Sequence, residues 1–281
     1  MNSFSFNRCW KVLRWNLRME FRSLVMWIMG YSIAVFLGEL LFFYLSIGSD
    51  PTHILDNIVK FCAIFIMIAL GVGFSTIFYD LNKKPRRQAF LMLPASNLEK
   101  YLAAVAYYTV GWTLCVLLSF VAGDTLRMVV RSLAYGDPWI SGVPMLLSFF
   151  DPGFGDTLFI KHTLAYKVMN VTVLLAFFVW IHSLYILGGT LLRRYAFVVV
   201  SLFIILCMML LVWTIHHYSF SMFYSNWVDN HYVRQEVGTL AYVLAVLLPL
   251  LSAFNYWASF HIFKHFELIS NKWTNYDILK R

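Results

Sequence analysis

A chain of 281 residues with 60% hydrophobic, 19% aromatic and only 13% charged side chains is too apolar for a water-soluble domain, in which charged residues make up about a quarter of the total. Its net charge of +8 is large enough for a nucleic-acid binder. The Lys and Arg residues, however, stand at the ends of apolar runs, which is the pattern of charges that set membrane topology. Four cysteines, Cys9, Cys62, Cys115 and Cys207, have no paired spacing, so neither a disulfide framework nor a zinc site follows.

Residues 1–23 precede the first long apolar run. At 100° per residue, Lys11, Arg14, Arg18 and Arg22 fall in one narrow sector of a helix, with Trp10, Leu13, Leu17 and Phe21 in the adjoining one. This pattern predicts an amphipathic elbow helix lying along the inner leaflet, cations toward anionic headgroups. The apolar run behind it is about twice the length of a signal-peptide core and ends in no small-x-small site, so it is expected to remain in the mature protein.

Six runs then reach spanning length: Leu24–Ile47, Ile58–Tyr79, Tyr101–Ala122, Val168–Leu192, Tyr195–Ile215 and Leu240–Ile262. Each supplies the about 20 apolar residues that cross a hydrocarbon core. They read as helices, because strands would leave backbone groups unpaired in lipid and no barrel-type alternation is present. A six-helix domain over 24–262 with a tail over 263–281 is expected. One side of the runs carries five basic residues from Arg8 to Arg22, five from Lys83 to Lys100, Arg193 with Arg194, and four from Lys264 to Arg281. The other side carries Lys60, Arg127, Arg131, Lys161, Lys167 and Arg234. The asymmetry of 16 to 6 predicts both termini in the cytoplasm.

The outer connections fit that orientation. Ser46–Asn57 is short and polar, while 123–167 carries Asp124, Asp137, Asp151 and Asp156 with several Pro and Gly. Within it Trp139–Phe150 is too short to span and reads as an interfacial or re-entrant piece. His216–Gly238 reads as a modest aromatic segment. No internal repeat or low-complexity tract is visible.

The cytoplasmic connection 82–100 holds the densest information. Ser96 followed by Glu99 makes a capping box that starts the next helix. Pro94 breaks a preceding helical turn around Phe90–Leu93. The apolar residues Phe90, Leu91, Met92 and Leu93 are expected on the surface, where they need a protein to cover them.

With its "LMLPASNLEKYLA" stretch, this connection resembles the "LPxS" loop and helix start of permease subunits of type-two ABC exporters. The layout of the whole chain resembles that family too. The resemblance implies an all-α integral membrane protein with six transmembrane helices preceded by an amphipathic interfacial elbow helix, N-in and C-in, in the inner (cytoplasmic) membrane. It implies an ATPase-coupling contact at Arg86, Arg87, Phe90, Leu91, Met92, Leu93, Pro94 and Ser96, with Arg86 and Arg87 either steering the docking or meeting anionic lipid, and a second, smaller contact at Arg193 and Arg194. No G-x-x-x-x-G-K-[ST] sequence is present, so ATP would be bound by a separate ABC ATPase subunit. This chain would bind no cofactor of its own and would pair with a second permease subunit as a homo- or heterodimer. The family often places its larger outer element between the fifth and sixth helices, whereas here the longer connection lies between the third and fourth.

Glu39 and His182 are ionisable residues set well inside apolar runs. Burial in lipid is costly, so each is a candidate for lining a translocation path or binding a cation, or is satisfied by a neighbouring helix. Asp124 and Arg127, at (i, i+3), read as a local surface pair. Enzyme signatures are weak: Ile262 stands where a His261/His265 zinc motif needs Glu, and neither a G-x-S-x-G elbow nor an Asp-rich pair occurs. The alternatives to a permease are a membrane scaffold or accessory subunit without a transport path, then an intramembrane enzyme.

Overall fold

The computed structural model describes residues 4–45, 51–82, 84–136, 139–144, 160–192, 194–218, 222–228 and 232–265. Six helices among them are long and apolar enough to cross a membrane: Phe6–Leu45, Asn57–Ser75, Asn97–Tyr135, Leu164–Leu191, Ala196–Tyr218 and Thr239–Lys264. The chain is therefore a predominantly helical, multi-pass membrane protein. It divides into two compact units, Met1–Ser148 and Phe149–Arg281.

The first unit opens with α1 (Phe6–Leu45), a single helix of 40 residues. The expected separation of an elbow helix from the first span at residue 23 has no counterpart in the backbone. No Pro occurs in this stretch and the first Gly is Gly30, so nothing interrupts helix propagation. At 1.5 Å per residue α1 is about 60 Å long, twice the thickness of a hydrocarbon core. Next come α2 (Pro51–Ser75), a 3-10 turn (Tyr79–Asn82), α3 (Lys84–Leu91) and α4 (Asn97–Ala106). α4 passes through a π-helical turn (Tyr107–Gly111) into α5 (Trp112–Tyr135).

α1 and the α4–α5 run lie side by side and parallel. Contacts recur at a nearly constant sequence separation: Arg8 with Glu99 at 91, Glu20 with Tyr108 at 88, Leu24 with Cys115 at 91 and Glu39 with Arg127 at 88. α2 runs the other way, with Cys62 beside Glu39, Phe65 beside Tyr31 and Ala69 beside Trp112. Val35, Ile58, Cys62 and Phe120 form one core cluster, and Ala69, Trp112 and Val116 another. Gly73 permits the closest approach: a Cβ there would lie 1.9 Å from the Trp112 indole nitrogen, which donates to the Ala69 carbonyl at 2.9 Å.

The second unit holds α6 (Leu164–Leu191), α7 (Ala196–Tyr218) and α8 (Thr239–Lys264). α6 and α8 are parallel, joined by Asn255 with Ser183 at 3.0 Å and Thr190 with Ser259 at 3.1 Å. α7 is antiparallel to α6, with Ser201 bonded to Tyr185 and Val200 filling the space above Gly188. A three-stranded sheet of β1 (Ile160–His162), β2 (Phe223–Val228) and β3 (Tyr232–Val237), in the order β1-β3-β2, completes the unit. β2 and β3 form an antiparallel hairpin, and β1 adds parallel to β3. The segment 216–238, read from the sequence as a modest aromatic segment, thus supplies two paired strands. Its strands "FYSNWV" and "YVRQEV" are rich in the aromatic and β-branched residues that favour extended chain.

Candidate coupling turn and intramembrane polar sites

The break between the second and third crossing helices is built as the sequence implies. α3 ends at Leu91, and the Ser96 hydroxyl accepts from the Glu99 amide at 3.3 Å while the Glu99 carboxylate accepts from the Ser96 amide at 2.8 Å. That reciprocal box satisfies two of the amides left orphaned at the start of α4. The Glu99 carboxylate also receives the Arg8 guanidinium at 2.8 Å and the Ser5 amide at 2.7 Å. Lys100, itself buried, donates to the Leu91 carbonyl at 2.6 Å and so closes the C-terminus of α3. Pro94 sits in the turn between them, and the Ala95 amide bonds back to the Leu93 carbonyl. Neither Arg8 nor Lys100 stands out by sequence spacing as part of this turn.

The exposure of the expected coupling residues divides sharply. Met92 is 85% exposed and Pro94 is exposed, whereas Leu91, Leu93, Ser96 and Arg86 are half-buried. Phe90 is only 3% exposed and packs its ring against Trp15 of α1, and Arg87 is buried as well. The expectation of a surface Phe90 and a steering Arg87 is therefore corrected: both face into this subunit. The reason is helical geometry, since Phe90 and Met92 are about 200° apart around the axis and α1 covers one side. Trp15, Asn16, Glu20, Arg86, Phe90 and Tyr108 line a small cleft of about 40 Å³ beneath the turn. In the second unit Arg194 is exposed. Arg193 lies outside the described residues.

Glu39 is fully buried, and its partners come from two helices. Arg127 Nε donates to Glu39 Oε2 at 2.7 Å and Cys62 Sγ donates to Oε1 at 3.2 Å. Arg127 also donates to Asp124 and, through Nη2, to the Ile140 carbonyl at 2.8 Å. The second Asp124 oxygen accepts from the Ser141 hydroxyl at 2.7 Å and the Gly142 amide at 3.1 Å. Asp124 and Arg127 are thus not a surface pair. They are buried, and with Glu39 they tie α1, α2, α5 and the returning 140–142 segment together. Trp139–Phe150 is described only as far as Pro144; that part folds back on the helices, with Val143 against the Val35 cluster. Arg131, one turn further along α5, stands 3.7 Å above the Phe43 ring.

His182 lies on the α6–α8 contact, with Nδ1 2.6 Å from the Tyr256 hydroxyl. It belongs to the polar seam that also contains Ser183, Asn255, Thr190 and Ser259, a form of helix–helix adhesion suited to lipid. The His261 and His265 rings lie 4.8 Å apart and tilted at the end of α8, where His265 Nδ1 meets the His261 carbonyl at 2.9 Å. Among the described residues no group of three or more His, Cys, Asp or Glu is placed to hold a metal ion. No protein-family model, curated protein or solved structure matches the chain.

Proposed function

We propose that this chain is the membrane-spanning permease subunit of an ATP-driven type-two ABC exporter, working as a homo- or heterodimer with separate ATPase subunits. In this reading both termini and the turn at 92–96 face the cytoplasm, residues 6–23 continue α1 on the cytoplasmic side, and the host membrane is the inner one. ATP binds to the partner, and this chain carries no catalytic group or cofactor. Its task is to convert a push on the turn into a change of access across the membrane.

The observation that carries the reading is the construction of the turn. A short helix, a proline turn and a capped helix start are held from behind by Phe90, Arg87, Glu99 and Lys100, all buried, while Met92 and Pro94 stand free in front. A rigid frame presenting a small apolar tip is what a docking element needs, because little entropy is lost when the partner binds. The closed hydrogen bonding of Glu39 and of His182 favours a structural role for both over an open translocation path. That same closure is what a scaffold or accessory subunit would show, so it supports the second reading.

The test is copurification of the tagged full-length chain from its native membrane. A stoichiometric nucleotide-hydrolysing subunit that is lost on replacing Met92 with Asp is the expected result. A chain purified without any ATPase, or with one indifferent to that substitution, would remove the exporter reading and leave the accessory one.

A further inference from the structure

The apolar stretches of the two parallel helices in the first unit do not lie at the same level. Leu24, where the apolar stretch of α1 begins, packs beside Cys115, so the stretch from Leu24 to Leu45 runs alongside the part of α5 from Cys115 to its end. The apolar run from Tyr101 to Ala122 starts 14 residues earlier. Subtracting the offset of 91 residues puts Tyr101 level with Trp10, in the basic part of α1. A mismatch of 14 residues is about 21 Å along a helix axis, and one bilayer cannot serve both stretches.

α2 bridges both levels, with Cys62 beside Glu39 and Phe65 beside Tyr31 but Ala69 beside Trp112, so it does not choose between them. The cations do. Lys11, Arg14, Arg18 and Arg22 are all exposed, and none has a partner among the described residues. A bilayer centred on the Tyr101–Ala122 run would surround these four unpaired charges with hydrocarbon. A bilayer on Leu24–Leu45 leaves them in water. The charges that it then encloses on α5 are Asp124 and Arg127, both buried, with Arg127 paired to Asp124 and to Glu39, the arrangement that membrane interiors tolerate, and Arg131, which lies over the Phe43 ring toward the far end of the stretch.

We infer that the bilayer sits on Leu24–Leu45, and that the first 18 residues of α1, together with α3 and α4, form a stalk standing about 25 Å clear of it. The Met92–Ala95 turn is at the tip of that stalk, level with the start of α1, because Glu99 meets Arg8 there. At that distance the tip is reached by a soluble protein and not by a lipid headgroup. The stalk's interior is held by polar contacts: Glu99 and Lys100 are buried with partners, and the Tyr108 hydroxyl meets the Glu20 carboxylate at 3.3 Å. This placement stands without the exporter reading; only the identity of the protein at the tip rests on it.

Leu102 and Leu126 separate the two placements, because both are exposed on the α4–α5 run and neither contributes to the core. Leu102→Cys and Leu126→Cys are made singly in the full chain, reconstituted in proteoliposomes, and labelled with a membrane-impermeant maleimide above the parent chain's own labelling. The stalk predicts that Leu102→Cys reacts faster than Leu126→Cys by an order of magnitude or more. A bimane on each cysteine gives an independent reading: nitroxide lipids should quench the dye at 126 and spare the one at 102. Protection of Leu102→Cys from maleimide, quenching of its bimane, or ready labelling of Leu126→Cys would each overturn the inference. Loss of the ATPase partner would change none of these readings, so the failure of the exporter proposal and the failure of the stalk are distinguishable.

Discussion

Replacing Arg127 with Leu is the most demanding test of how the first unit is held together. The guanidinium is the buried counter-charge to two carboxylates, Glu39 and Asp124, exposed by 0% and 1%. Removing one partner of a buried ion pair costs about 3–5 kcal/mol, because the other charge is left uncompensated in a low-dielectric site. The Ile140 carbonyl also loses its donor, worth about 1–3 kcal/mol more if it stays dry. Arg131→Leu is the control on the same helix: it removes a cation from above Phe43 and should cost about 0.5–2 kcal/mol. Adding Glu39→Gln and Asp124→Asn to the Arg127 variant removes the stranded charges and should recover much of the loss, since neutral replacements of a buried pair are often tolerated. Denaturation of the purified chain in detergent, followed by the reactivity of the buried Cys62 thiol, reads all four proteins. An Arg127→Leu loss below about 1 kcal/mol, or no greater than that of Arg131→Leu, would show that the network carries no such charge burden.

Gly73→Ala places a methyl group on the Trp112 indole and should break the Trp112 bond to Ala69, seen as a red-shifted tryptophan emission and a lowered unfolding midpoint. Phe90→Ala should destabilise the chain by about 3–5 kcal/mol as a large-to-small core change, whereas Met92→Ala, at the exposed tip, should stay within about 0.5 kcal/mol; similar losses from both would contradict the division between frame and tip. Ser96→Ala should cost about 1 kcal/mol through the lost cap. Glu99→Gln should cost more, because it weakens the cap and also the contacts to Arg8 and Ser5. Hydrogen exchange at the start of α4 should rank the two variants in that order.

The turn was legible because its signals are local. Pro94, Ser96 and Glu99 lie within six positions, and the capping box follows from their spacing alone. The opposite facing of Phe90 and Met92 was also available from sequence, as a two-residue step on a helix turns the side chain by about 200°. Which of the two faced inward was not, because the covering residue, Trp15, lies 75 positions away. Asp124 and Arg127 were recognisable as a pair, but nothing local reveals that Glu39 completes it across 88 residues. The elbow was expected to be a separate helix because its amphipathic pattern differs from the span behind it. A change of pattern does not break a backbone, and no Pro or Gly is present to do so before Gly30. The strands escaped notice for a related reason: short aromatic runs beside apolar helices show no distinctive periodicity of their own.

The two ion pairs along the α1 contact have opposite polarity, and this restricts how the helices can associate. On α1 the cation, Arg8, comes first and the anion, Glu39, second; on the α4–α5 run the anion, Glu99, comes first and the cation, Arg127, second. Parallel packing at an offset near 90 residues satisfies both pairs together. Antiparallel packing would set Arg8 toward Arg127 and Glu39 toward Glu99, which is repulsive at both ends. A slide of one helical turn in the parallel arrangement would pull Glu39 from Arg127 inside the buried core, where an unpaired charge is most expensive. Apolar surfaces alone discriminate poorly among such arrangements in lipid, because the tails solvate a displaced helix as well as a docked one. The charges therefore supply the orientation and register that the apolar contacts leave open, just as a single polar residue at an apolar seam fixes register in a coiled coil.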